Sequence, residues 1–285
     1  MQSIRNKTEI NLHKVIKLLS FAFILSFVFS CEKPDDSIQD PPEVIKVTVL
    51  PSDFTLYNGE EISIDVNVDK SISEAKFFFD GIFIGSSISE PYQINYKPVD
   101  ITPGDHKVKC IVVSEFGNEF QDSTIVQLIL RLGDRYKGGI IFSFFPDGIS
   151  GLISAEQDLY INGTDRFFWA DDISIGRDVN NGVLNTKRMS ENTSNVEQVA
   201  YFFKDGFSFN GFNDWYIPSI NELELLKENK NLVGGFTQLT DWQGLYWSSS
   251  EISSTKAEAL NFNSLMGNAY WKNSYLLKVR LIRRF

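Results

Sequence analysis

Aromatic side chains set among amides and a cation are the groups in this chain best suited to recognition chemistry. Asn268, Tyr270, Trp271, Lys272 and Asn273 follow Met266-Gly267 and precede a final apolar stretch, which places them at a loop tip. A ring face stacks on the apolar side of a pyranose while amides hydrogen-bond its hydroxyls. Asp241 and Trp242 form a second such spot, and burial of Trp271 in the core is the competing reading. Catalytic sets are harder to assemble. His106 is the one histidine beyond residue 30, and Cys31 and Cys110 are the chain's cysteines. That inventory excludes serine–histidine and cysteine–histidine catalysis in the C-terminal half, and a histidine-based zinc site. Asp171-Asp172 and Asp178 hint at a cation, but scattered loop acids read as solvated. The residues imply binding, not an enzyme, with no catalytic residue, metal or cofactor.

The N-terminus predicts how such a site is displayed. Residues 1–17 are basic, with Arg5, Lys7, Lys14 and Lys17 against Glu9, and Leu18–Phe29 is an apolar run. A bilayer-spanning helix needs about 20 apolar residues, so a basic region followed by this shorter run reads as a secretory signal peptide over 1–30. Val28-Phe29-Ser30-Cys31 resembles a lipobox, which implies acylation of Cys31. One acyl chain holds weakly and stable anchoring takes more than one. The acidic run Glu32-Lys33-Pro34-Asp35-Asp36 resembles the surface-export signal of Bacteroidota-type lipoproteins. The expected localisation is the outer membrane, lipid-anchored and facing outward. Asp36-Ser37-Ile38 and Asp122-Ser123-Thr124 resemble a three-residue O-glycosylation signal.

Charge narrows the partners. The whole chain carries −10, and residues 1–30 contribute four bases and one acid, leaving −13 for the rest. Residues 31–132 hold 18 acids against 8 bases, and residues 133–285 hold 18 against 15. Nucleic-acid affinity is dominated by phosphate neutralisation, so a nucleic-acid partner is not expected.

Residues 31–43 are acidic and Pro-rich, an extended tether that buries no core. Residues 44–132 alternate like strands over Val44–Leu50, Ile62–Val68, Ala75–Phe79, Ile82–Ser86, Tyr92–Tyr96, Lys107–Ser114 and Ser123–Leu130. Asp80-Gly81 between apolar runs signals a type I′ hairpin. Seven short strands at this spacing argue an all-β sandwich, and Phe77-Phe78-Phe79-Asp80-Gly81 with Gly104-Asp105-His106-Lys107-Val108 resembles bacterial Ig-like modules. Cys110 alternates into its core.

Residues 133–285 hold all five tryptophans. Two Ser-x-x-Glu capping patterns, at Ser194 and Ser219, predict helices ending near Gly206 and Asn229. Gly138–Phe144 and Gly151–Ala155 read as a hairpin, Ala257–Asn263 as a strand, and Leu276–Ile282 as the last one. Two helices with a mostly antiparallel sheet make an α+β class. Trp215, Tyr216 and Trp247 are expected in the core, and Glu251 in a structural role.

Five ordered motifs carry a further resemblance. They are Gly138-Gly139-Ile140-Ile141-Phe142; Gly151-Leu152-Ile153-Ser154-Ala155; Asp214-Trp215-Tyr216-Ile217-Pro218-Ser219 with Asn221-Glu222-Leu223; Tyr246-Trp247-Ser248-Ser249-Ser250-Glu251; and the closing Val279-Arg280-Leu281-Ile282-Arg283-Arg284-Phe285. Together they resemble the C-terminal domain of Lcl collagen-like adhesins, over residues 134–285. That resemblance implies a C-type-lectin-like fold, sulfated-polysaccharide binding and a homo-trimer. The acidic count departs from a sulfated ligand, although Lys272, Lys278, Arg280, Arg283 and Arg284 cluster late. Pro218 lacks the flanking Glu and Asn of calcium-dependent lectins, and the absence of cysteine removes formylglycine-generating chemistry.

The combined expectation is a multi-domain chain: an all-β Ig-like sandwich, then an α+β C-type-lectin-like domain. It would be a membrane-tethered surface protein binding a polysaccharide or glycoprotein. The alternative is a structural or assembly subunit of a fimbrial or envelope complex.

Overall fold

Strand-forming alternation dominates residues 43–132. The computed structural model describes residues 43–172 and 174–285. The signal peptide, Cys31, most of the tether and Asp36-Ser37-Ile38 lie outside the described residues. Eight strands appear first: β1 (Val47–Leu50), β2 (Phe54–Tyr57), β3 (Ile62–Val68), β4 (Ile72–Phe79), β5 (Ile82–Ser87), β6 (Gln93–Tyr96), β7 (Gly104–Ser114) and β8 (Glu119–Ile129). They form two sheets, β1-β3-β6 and β2-β8-β7-β4-β5. Inward residues of both sheets, among them Val49, Ile64, Phe77, Val108, Cys110 and Val126, share one core. This is a β-sandwich.

Asp80 and Gly81 both take positive φ, 49° and 81°, as the type I′ turn between β4 and β5 requires. β2 escaped the sequence reading: Phe54 and Thr55 are both exposed, so burial does not alternate along it, and it pairs in parallel with β8. Cys110 is fully buried, and burial pushes its thiol up to about 12, with the Asp122 carboxylate adding to the shift.

The second half opens with β9 (Arg135–Tyr136), β10 (Gly139–Phe144) and β11 (Gly151–Ser154), the last two forming the expected hairpin. Helices α1 (Gly182–Glu191), α2 (Ile220–Glu228) and α3 (Lys230–Val233) follow, then β12 (Leu245–Ser253), β13 (Lys256–Asn261), β14 (Gly267–Trp271) and β15 (Ile282–Arg284). The sheets are β15-β11-β10-β9 and β12-β13-β14. The closing strand therefore pairs beside the opening hairpin, and this half starts and ends in one sheet.

Three expectations need correction. The helix at Ser194 is a short 3-10 turn, Val199–Phe203, because Asn195 Oδ1 takes the Glu197 amide and Glu197 O accepts from Phe168 N. The stretch Leu276–Ile282 is no continuous strand: Leu277 bridges Phe167, Lys278 bridges Tyr246 and Ile282 bridges Tyr216. The tip at 268–273 is mostly strand β14, paired with β13 from Gly267 to Trp271.

Glu43–Phe285 form one structural unit. Inside it the cores stay apart: the sandwich core runs from Ile45 to Leu128, and the others draw on Leu130 onward.

Candidate functional site

Indole chemistry sorts the five tryptophans. Trp169, Trp215 and Trp247 are buried, and each spends its N–H on a backbone carbonyl: Ser248 O at 2.6 Å, Phe209 O at 2.7 Å and Phe167 O at 2.8 Å. A buried indole needs that partner. Trp242 and Trp271 remain 46% and 49% exposed. The two differ in one respect. Lys256 Nζ lies 4.5 Å over the Trp271 ring, whereas no aromatic or cation packs on Trp242 among the described residues.

The β14 register explains why the sequence-derived cluster does not converge. Trp271 is opposite Lys256, and Tyr270 is opposite buried Ala257. Successive side chains point to opposite faces of a sheet. Tyr270 accordingly packs edge-on to Trp247 and Tyr275, at 6.5 and 5.3 Å. Asn268 is exposed on the strand. Lys272 is fully buried, where Nζ donates to Glu251 Oε2 and Ser254 O at 3.0 Å each and lies 4.5 Å from the Trp169 ring centroid. It is a structural cation, not a ligand contact, and this corrects its assignment. Asn273 Oδ1 accepts from Gln198 at 3.4 Å. Asp241 is exposed and caps the 3-10 turn Trp242–Gly244 by accepting from Gln243 N, beside Trp242.

The late bases form no basic face. Arg280 donates to Asp158 and to the carbonyls of Ala155, Glu156, Gly234 and Gly235. Lys278 bridges Asp158 and Asp165, and Arg283 clasps Asp214 through two nitrogens at 2.7 and 2.8 Å. Each is consumed as an internal counter-ion. Asp171 likewise accepts from Gln198 and Ser194, and Asp178 from Asn180 N. Among the described residues no cluster of three metal-ligating side chains occurs.

A trough does form, around Trp242. Phe167 and Leu277 exchange both backbone hydrogen bonds, 2.9 and 3.1 Å, and both side chains are buried. The next antiparallel pair, Phe168 and Leu276, must then face outward. On its other edge Phe168 pairs in parallel with Gln198, donating to Glu197 O at 2.9 Å and accepting from Val199 N at 2.8 Å. Phe168 and Leu276 thus form a saddle between two hollows. One, of about 490 Å³, is lined by Trp242, Tyr275, Ser274, Phe168 and Leu276. The other, of about 450 Å³, adds Phe202 and Val196 to Asn162, Thr164, Arg166 and Glu197. Volumes of this size suit small-molecule and saccharide ligands. A larger cleft of about 650 Å³ lies on the sandwich beside Asp65, Asn67, Glu90 and Tyr92, and no tryptophan lines it.

Of the residues singled out in the sequence, Trp242 alone lines the trough. Phe168, Tyr275, Leu276 and Arg166 were missed. The signal available was the run Arg166-Phe167-Phe168-Trp169, whose alternation becomes readable once Phe167 and Trp169 are known to be buried.

No protein-family model matches the chain, and no curated protein matches it. Among solved structures, fibronectin(III)-like modules of Clostridium thermocellum CbhA are 24% identical over 30% of this chain and 98% of the module, with a TM-score of 0.27. The Bacteroides ovatus mixed-linkage glucan utilization locus protein SGBP-B, in complex with a heptasaccharide, is 17% identical over 43% of this chain and 36% of its own, at 0.26. A Parabacteroides merdae beta-glucuronidase is 14% identical over 39% of this chain and 15% of its own, also at 0.26. The chain thus spans about a third or less of the two longer proteins.

Proposed function

We propose that this is a lipid-anchored surface protein, tethered through Cys31, whose C-terminal half binds a glycan in the trough around Trp242. One observation carries the binding reading: the Trp242 indole is half exposed and uncovered, and it shares a hollow with Tyr275, Phe168 and Leu276. An exposed indole in an apolar hollow is costly to keep wet and offers a flat face to a sugar ring. Residues 133–285 are read as a C-type-lectin-like relative of the Lcl C-terminal family. That reading is supported by the motifs quoted above and by β15 closing beside β11. A binding role is favoured over hydrolysis because, among the described residues, the trough lining holds one carboxylate, Glu197, and glycosidic cleavage runs on two flanking the bond.

Two measurements test the reading. In affinity electrophoresis against a panel of polysaccharides, Trp242→Ala should weaken retention at least tenfold, about 1.4 kcal/mol, while Trp271→Ala leaves it within twofold. Equal loss in both variants, or retention by neither the wild type nor any variant, would overturn it. Fatty-acid labelling should mark the wild type and not Cys31→Ser. An unlabelled wild type removes the anchor.

A further inference from the structure

Most cations of the C-terminal half are consumed internally, but Arg166 is not. Arg280 and Arg283 spend their guanidiniums on carboxylates and carbonyls. The Arg166 side chain is 23% exposed and donates no hydrogen bond among the described residues; its nearest charged partner is Asp165, with Nε at 3.8 Å from Oδ1. One terminal nitrogen, Nη1, is closed off from solvent with no partner. An arginine has five donors, so a turn toward a ligand oxygen breaks no hydrogen bond and loosens only the long contact with Asp165. The same hollow presents exposed Asn162 and Glu197, whose side chains make no hydrogen bond among the described residues. Thr164 differs, since its hydroxyl is tied to Arg166 N and O at 3.1 Å. A cationic donor with few internal contacts, an amide and an anionic acceptor therefore line one apolar-floored hollow.

We infer that this hollow is a second subsite of the trough that selects uncharged sugar residues, with Arg166, Asn162 and Glu197 sharing adjacent ring hydroxyls. The inference rests on the glycan-binding reading and deepens it. A hydroxyl both donates and accepts, so a pair of them satisfies Arg166 and Glu197 together. A sulfate or carboxylate only accepts. It satisfies Arg166 but stands beside Glu197 with no donor to offer, and a like charge in a shared site is repelled. The hollow thus argues against the sulfated ligands implied by the family resemblance. Trp242 at the other hollow supplies the stacking face, and Phe168 with Leu276 supplies the floor between them.

The test uses the full chain without its anchor lipid, immobilised and probed with neutral polysaccharides (β-glucan, mannan, xylan) and with heparin and alginate. The expected result is retention by a neutral polymer. Arg166→Met and Glu197→Gln should each weaken it tenfold or more, with no retention on heparin or alginate. Thermal melting separates a lost contact from a lost fold: Arg166→Met relieves an unpartnered buried donor, so its midpoint should match or exceed the wild type. Heparin or alginate retention that Trp242→Ala abolishes would overturn the neutral-sugar inference and leave the trough reading standing. Neutral retention unaffected by Arg166→Met and Glu197→Gln would overturn the subsite. Retention of nothing would remove both readings.

Discussion

Glu251 and Lys272 show how a residue suited to binding becomes a buried strut. Glu251 accepts from Lys272 Nζ at 3.0 Å, from the Ser174 hydroxyl at 2.7 Å and from Ile175 N at 2.8 Å. Burial pushes the Glu251 carboxyl up, but these hydrogen bonds and the adjacent ammonium outweigh it and hold it below the usual carboxylate range. Burial likewise pulls the Lys272 ammonium down against the pull of Glu251 and Asp172. Removing one partner of a buried pair leaves an uncompensated charge, a cost of about 3–5 kcal/mol. Glu251→Gln should lose stability on that scale in urea unfolding, and the double variant with Lys272→Met should recover most of it. The acid dependence follows from the depressed carboxyl: its stabilisation is whole above the unfolded value of about 4.3 and falls as pH drops through the lower folded value. The slope of stability against pH below about 4 should therefore flatten in Glu251→Gln. An unchanged slope would show that Glu251 does not contribute.

At the scale of elements, the junction of α1 and α2 is built around one carboxylate. Glu222 Oε2 accepts from Ser219 N, the Ser219 hydroxyl and Gly182 N, and Oε1 accepts from the Tyr216 hydroxyl. A Cβ on Gly182 would lie 2.5 Å from Glu222 Oε2 and 2.6 Å from Ile217 O, so α1 begins on a glycine because α2's cap occupies the space. Gly182→Ala should destabilise by about 1–3 kcal/mol and Ser219→Ala by about 1 kcal/mol, read as shifts in melting temperature. The pair should be less than additive because both act through Glu222.

The same elements show what sequence carried. Ser219 and Ser194 share one capping pattern, yet α2 alone forms. At Ser194 the hydroxyl goes to Asp171 and the backbone of Glu197 pairs with Phe168, so a tertiary bridge overrides a local signal. α1 was invisible for a different reason. Its buried face is Gly182, Asn185, Thr186, Met189 and Ser190. Thr186 trades hydrogen bonds with Ile217, and Asn185 donates to Asp178 O, so the face is polar and shows no apolar period. The sandwich was legible because burial alternates along strands such as β3 and β7. The trough was legible at Trp242 by residue type alone. Phe168 faces outward because of its pairing with the stretch at Leu276, a contact distant in sequence.

Across the whole molecule, two kinds of core meet at a polar junction. Asn58 Nδ2 donates to Arg135 O at 2.8 Å and Lys137 N donates to Asp100 Oδ1 at 3.0 Å. These contacts are polar, the clusters of buried apolar residues on either side are separate, and hydrophobic burial is the main source of cooperative coupling. The two cores should then melt separately, a departure from two-state behaviour expected of multi-core chains. Emptying the sandwich core with Phe77→Ala costs about 3–5 kcal/mol and should lower one calorimetric transition. The other transition, and any glycan affinity of the trough, should stay within error. Removing the junction with Asn58→Ala and Asp100→Ala should move the two transitions apart without lowering both. If Phe77→Ala instead lowers both transitions together and weakens the trough, the polar junction transmits more energy than its hydrogen bonds account for, and the sandwich is an energetic part of the binding half and not a spacer beneath it.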